Sequence, residues 1–175
     1  MSAAEDRFEH LARTLGPRVL GYLARRVAQP ADAADLLAEV LLIAWRRMDD
    51  LPGPDEEVLP WLLGVARRVA ANHSRGSRRR LALADRLRAE MGDTTMRAPM
   101  ARHDVDDAHL VTDALAGLDE DDRELITLIA WEHLTPSEAA VVLGISAAAA
   151  RKRLQRARDR LRTLLGDAPI VTATG

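Results

Sequence analysis

Cysteine is absent from this 175-residue chain, which excludes a disulfide framework and a thiolate metal centre. Aromatic residues are scarce. The five present (Phe8, Tyr22, Trp45, Trp61 and Trp131) are too few for a sheet that stacks nucleic-acid bases on its face. Long apolar runs are missing as well: the longest, Val40 to Trp45, is far short of the roughly 20 residues that span a bilayer. The acidic start MSAAEDRFEH lacks the shape of a signal peptide, so a cytoplasmic chain without membrane insertion is expected. There is no HExxH, GxSxG, P-loop or GxGxxG, and the five histidines (His10, His73, His103, His109, His133) are scattered without ligand spacing. Neither catalysis, a cofactor nor a metal is expected. What the chain has in abundance is Ala, Leu and Arg, 81 residues together, all good helix formers. An all-α fold follows.

The formal net charge is −2, but its distribution is uneven. Residues 67–88 carry eight arginines against Asp85 alone, and residues 151–162 carry six arginines and Lys152 against Asp159. Between them, residues 104–124 hold nine acids against Arg123. Two basic blocks on either side of an acidic one suggest two separate contacts with a polyanion.

Helical periodicity starts at once, with Phe8, Leu11 and Leu15, then Val19, Leu20, Leu23 and Val27 after Gly16-Pro17. Leu36, Leu37, Val40, Leu41, Ala44, Trp45 and Met48 repeat every three or four residues and predict a helix over roughly 32–48, with Asp32 as N-cap. Three prolines and a glycine between Asp49 and Pro60 predict a loop. A further helix is expected near Pro60, burying Trp61, Leu62, Val65 and Val69. The first module then covers 1–90.

Over 91–107 the periodicity fades into a linker. The second module, 108–166, shows Leu110, Leu115 and Leu118, then Asp119 as N-cap of a helix with Leu125, Ile126, Leu128 and Ile129. Thr135-Pro136-Ser137-Glu138 is a capping box with proline at the first helical position. That helix stops at Gly144, and Ser146 caps a last, basic helix. Two short helices around a glycine turn, the second basic, form a helix-turn-helix. Residues 167–175 are read as a tail. The predicted architecture is two small helical domains joined by a linker.

These motifs resemble those of extracytoplasmic-function sigma factors over about residues 6–165. Asp32-Ala33-Ala34-Asp35-Leu36-Leu37-Ala38-Glu39 followed by Ala44-Trp45-Arg46 is similar to the family's core-polymerase-binding helix. Pro60-Trp61-Leu62-Leu63-Gly64-Val65-Ala66-Arg67-Arg68 with Asn72 and the arginine run resembles its minus-ten segment. Arg123-Glu124, the capping box, Leu143-Gly144-Ile145-Ser146 and Arg153-Leu154-Gln155-Arg156-Ala157-Arg158 resemble its minus-thirty-five domain. The chain departs from the pattern at three places: Ala38 stands where Gln is usual, Arg68 where Asn is frequent, and Ala148-Ala149-Ala150 where Gly-Thr-Val is common.

The resemblance implies a protein that binds core RNA polymerase through Asp35, Leu36, Leu37, Glu39, Trp45 and Arg46. It implies promoter contacts from Trp61, Arg67, Arg68, Asn72, Arg75, Arg78, Arg79 and Arg80 in the first module. In the second, it implies contacts from Thr135, Ser146, Ala148, Arg151, Lys152, Arg153 and Arg156. An anti-sigma factor is a further expected partner, and the acids Asp104, Asp106 and Asp107 would lie in the linker. A rival reading is a stand-alone helix-turn-helix regulator, which would bind promoters without polymerase.

Overall fold

The computed structural model describes residues 3–90 and 106–166, and the chain divides into two units, Met1–Pro99 and Met100–Gly175. The first unit is a three-helix arrangement of α1 (Ala3–Ala24), α2 (Pro30–Arg46) and α3 (Asp55–Glu90), each packed on the other two. Its core is supplied by Leu11, Val19, Tyr22 and Leu23 from α1, by Ala33, Leu36, Val40 and Ala44 from α2, and by Val58, Leu62, Leu63, Val65, Ala66 and Val69 from α3. The three- and four-residue spacing of these positions is the helical stripe read from the sequence.

The boundaries differ from the sequence reading in four places. Pro17 lies inside α1 rather than dividing it. A proline in a helix interior costs about 3 kcal/mol, but Leu11 and Val19 on either side are both buried, and their packing holds the two halves in line. The N-cap of α2 is Gln29, with Pro30 at the first helical position, so Asp32 belongs to the first turn instead of capping it. Only the middle of the predicted 49–60 loop is irregular. Met48–Asp50 forms a 3₁₀ turn, and α3 begins at Asp55, five residues before Pro60. The acids Asp55, Glu56 and Glu57 favour that earlier start because they face the positive end of the helix dipole. Finally, α3 runs through Gly76 and the arginine run to Glu90 as one helix of 36 residues.

The second unit contains α4 (Asp106–Ala116), α5 (Glu120–Ala130), α6 (Pro136–Leu143) and α7 (Ala147–Leu165). Helix α7 packs on the other three, around Ala114, Leu118, Leu125, Leu128, Leu134, Ala139, Ala140, Val142, Ala150, Leu154 and Ala157. The expected N-cap of α5, Asp119, stands at that position without a side-chain capping bond. The capping box is complete: Glu138 N–H donates to Thr135 Oγ1 at 3.3 Å, and Thr135 N–H donates to Glu138 Oε2 at 2.6 Å. Gly144 closes α6 at φ 67°, a left-handed conformation that a glycine adopts without a Cβ clash. Ser146 Oγ then accepts from Ala149 N–H at 3.1 Å and opens α7.

Two links of this unit were not foreseen. Arg123 on α5 donates from Nε to Leu115 O at 2.9 Å and from Nη2 to Leu118 O at 3.0 Å. It thereby caps carbonyls at and beyond the end of α4, where Leu115 O accepts in addition only from Leu118 N–H at 3.2 Å. His133 has φ 55°, and Leu134 N–H donates to Leu128 O at 3.2 Å, so the chain turns back on the end of α5 with histidine in the left-handed position. Most of the segment read as a linker, 91–105, lies outside the described residues, as does Asp104 and the tail 167–175. Its last two positions, Asp106 and Asp107, already belong to α4.

Candidate polymerase and promoter surfaces

On α2, a turn of about 100° per residue places Asp35, Glu39, Leu42 and Arg46 within a sector of about 60°, and all four are exposed. This face is acidic at its N-terminal end and basic at its last turn. Leu36, expected at the polymerase contact, is only 5% exposed and faces inward. Its contribution is to seat α2 on its neighbours, because the buried stripe of the helix runs through Ala33, Leu36, Val40 and Ala44. Leu37 is half-buried.

Trp45 is 41% exposed and its ring meets Phe8 of α1 edge-on, with centroids 5.2 Å apart. Together with Glu5, Leu41 and Leu42 the two rings line an open apolar groove of about 500 Å³. Leu42, 46% exposed, was missed by sequence reasoning although a signal existed: it is the leucine of α2 that falls off the buried stripe. Exposed leucine and tryptophan beside one another are the usual mark of a surface that another protein covers.

On α3, Trp61, Arg68, Asn72, Arg75 and Arg79 also share a sector of about 60°. Trp61 is half-buried and the other four are exposed. Arg75 donates to Asn72 Oδ1, and Arg80 Nη2 donates to Ser77 Oγ at 3.2 Å. Arg67 is half-buried on one flank, Arg78 is exposed on the same flank, and Arg80 is exposed on the other. The basic stripe extends C-terminally from Arg68, where α3 has no apolar residue turned outward until Leu81. The loop that precedes α3 is anchored by Leu51, which is buried, while Gly53 and Pro54 are exposed.

On α7 the buried line Ala150, Leu154 and Ala157 turns Ala148, Lys152 and Arg156 outward, four residues apart, with Arg151 on one flank. All four are exposed. Arg153 lies on the opposite flank, where Nη1 pairs with Asp121 Oδ2 at 3.0 Å and Nε with Asp122 Oδ1 at 3.6 Å. It ties α7 to α5. The outward face turns acidic at Asp159, which accepts from Arg162 Nη1 at 2.6 Å and from Gln155 Nε2 at 3.3 Å. On the face opposite the buried line the positive charge therefore lies in the first half of α7, while Arg158 and Arg160 are exposed on its flanks further along. Thr135 and Ser146 use their oxygens as helix caps, and each hydroxyl keeps a proton to donate outward.

Among the described residues no three His, Asp or Glu side chains are grouped so as to hold a metal ion. No described helix is long and apolar enough to cross a membrane. Two helical units, one with an acidic and apolar face beside a basic stripe and one with a basic helix in a helix-turn-helix, define a DNA-binding protein built to work with a protein partner.

Comparison with known proteins makes the class definite. Residues 11–80 match the family model of sigma-70 region 2, and residues 108–161 match that of sigma-70 region 4. The RNA polymerase sigma factor CarQ of Myxococcus xanthus is 36% identical over 97% of this chain and 95% of its own length. The extracytoplasmic-function sigma factor BldN of Streptomyces coelicolor is 31% identical over 93% of this chain and 61% of its own. Among solved structures, CnrH in complex with the cytosolic domain of CnrY matches with TM-score 0.61 at 25% identity, covering 92% of this chain and 88% of that one. The chain belongs to the sigma-70 family of RNA polymerase sigma factors, within the extracytoplasmic-function group. Its function is that of the family: to bind core polymerase and direct sequence-specific initiation.

Proposed function

We propose that the two units divide this work between three surfaces. In the first, 1–90, the exposed face Asp35-Glu39-Arg46 of α2 and the adjoining groove at Trp45 bind core polymerase. The observation that carries this reading is the coincidence, on one side of α2, of two acids at four-residue spacing with exposed Leu42 and Trp45. Charges in this setting give register and orientation, and the aromatic and leucine side chains supply the desolvated contact.

The stripe from Trp61 through Arg68 and Asn72 to Arg75 and Arg79 holds the minus-ten strand, with Arg67, Arg78 and Arg80 beside it. Arg75, Arg78, Arg79 and Arg80 contact phosphate without reading sequence, while Trp61, Arg68 and Asn72 face the captured base. Opening the duplex requires an unstacked base to be captured, at a cost of a few kcal/mol, and the loop 51–54 with the start of α3 supplies the capture site. In the second unit, 108–166, the N-terminal half of α7 enters the major groove of the minus-thirty-five element. There Arg151 and Lys152 reach base edges, Ala148 packs against a thymine methyl, and Arg156 with the hydroxyls of Thr135 and Ser146 holds phosphate. Arg153 acts from its ion pairs with Asp121 and Asp122, by holding α7 in place.

The protein performs no covalent chemistry itself and works in the cytoplasm. An anti-sigma factor that covers these surfaces is a further partner, a reading supported by the fold shared with the sigma factor RpoE in complex with the anti-sigma factor NepR from Bartonella quintana. The test is the double charge reversal Asp35→Lys with Glu39→Lys in the full chain. Both residues are exposed, so helicity is expected to stay as in the wild type while co-purification with core polymerase is lost. Undiminished binding of the double variant to core would show that this face is misassigned.

A further inference from the structure

The loop assigned above to base capture is short and poor in means of holding itself. Pro52 and Pro54 have no N–H to donate, and Gly53 has no side chain and nothing within 4 Å of where a Cβ would stand. The bonds that shape it from within its own sequence are local: Leu51 N–H to Met48 O at 3.3 Å and Glu57 N–H to Pro54 O at 3.0 Å. Each reaches only the element that flanks the loop in sequence. Arg7, on the second turn of α1 and 45 residues earlier in the chain, joins it to a more distant one. Its Nη2 donates to Pro52 O and, at 3.1 Å, to Gly53 O. One turn further along α1, His10 Nε2 lies 3.4 Å from Asp55 Oδ2. Two α1 side chains three residues apart thus reach the loop and the first residue of α3.

We propose that Arg7 is a positioning residue for promoter opening, which fixes the backbone of loop 51–54 through the carbonyls of Pro52 and Gly53 and so sets base discrimination at the minus-ten element without touching DNA. The proposal rests on the capture role given to the loop above. A planar guanidinium suits the task because it presents several N–H donors in a rigid fork, so one group satisfies two successive carbonyls. An ammonium also carries more than one N–H donor, but on a flexible stem without the planar fork, so it holds the pair less firmly. A loop released from this brace samples more conformations, and each capture of a base must then include the entropy of ordering it. The loss falls on the correct base more than on the wrong ones, because only the correct base uses the ordered pocket. The neighbouring residue Phe8 points the other way, against Trp45, so the brace and the polymerase groove occupy different sides of α1.

The test uses full-length chain assembled with core polymerase, comparing wild type, Arg7→Ala and Arg7→Lys. Opening is followed by fluorescence of 2-aminopurine placed in the minus-ten element, on a consensus promoter and on promoters substituted singly across that element. For Arg7→Ala the preference for the consensus base at the captured position is expected to fall roughly tenfold, about the worth of one charge-assisted hydrogen bond. Arg7→Lys should fall between, and affinity for core should not change. Amide hydrogen exchange on the free chain should show faster exchange within 51–58 in Arg7→Ala, with the interior of α2 unaltered. A merely structural role would weaken opening equally on every promoter, and that uniform loss would overturn the proposal, as would unchanged discrimination. If the wild-type holoenzyme itself opens no promoter selectively, the promoter reading fails and takes this proposal with it.

Discussion

Arg123 shows how much one side chain can carry. Its guanidinium joins the end of α4 to α5 through carbonyls of Leu115 and Leu118, and removal leaves Leu118 O to find water in a partly buried corner and Leu115 O with Leu118 N–H alone. Hydrogen bonds from a charged donor are worth about 1.5–3 kcal/mol, so Arg123→Ala should destabilise the second unit by about that amount. Amide exchange in α5 should accelerate correspondingly while the first unit stays unchanged. An unaltered exchange rate would show that the clasp contributes nothing. Side chains of this kind were the least legible in the sequence. Arg123, Arg153 and Arg7 look there like members of charge patterns, and only tertiary contact shows that each acts on a particular carbonyl or carboxylate. Arg153 reads as one more cation of a basic helix, but Asp121 and Asp122 hold it. Leu36 reads as part of a partner-binding motif, but belongs to the core.

Elements were more legible than their ends. The buried stripes of α2 and α7, the capping box of α6 and the glycine turn before α7 follow from local spacing and capping chemistry, which the sequence carries in full. The misplaced boundaries involve proline. Pro17 and Pro60 both sit within helices, because burial of apolar residues on either side outweighs one missing backbone bond. The long run of α3 past Gly76 shows the same override. Gly76 lies in the helix interior with nothing within 4 Å of a would-be Cβ, so Gly76→Ala adds helix propensity without a clash. It should stabilise the first unit by roughly 0.5–1 kcal/mol, read as a higher urea midpoint with an unchanged slope. A lower midpoint would mean that this part of α3 is not a regular helix under load.

At the scale of the whole chain, near-neutral net charge conceals two basic surfaces and an acidic stretch, and this segregation was plain from the sequence. Helical spacing also gave the outward side chains of each block, Arg68, Asn72 and Arg75 on α3 and Lys152 opposite the buried stripe of α7, but not the ion pairs that hold Arg153 to α5. Neither block alone commands enough charge for tight, selective binding at physiological salt, so selectivity requires both to engage one promoter while docked on one polymerase. The two elements must then lie at a fixed separation. The most direct test is transcription in vitro with purified core polymerase from promoters whose minus-ten and minus-thirty-five elements are intact and whose spacer is varied one base pair at a time. Changing the spacer by half a helical turn, about five base pairs, turns one element to the opposite face of the duplex. Initiation should peak within one or two spacer lengths and collapse at that change, whereas equal initiation across the series would contradict a division of the promoter between the two units.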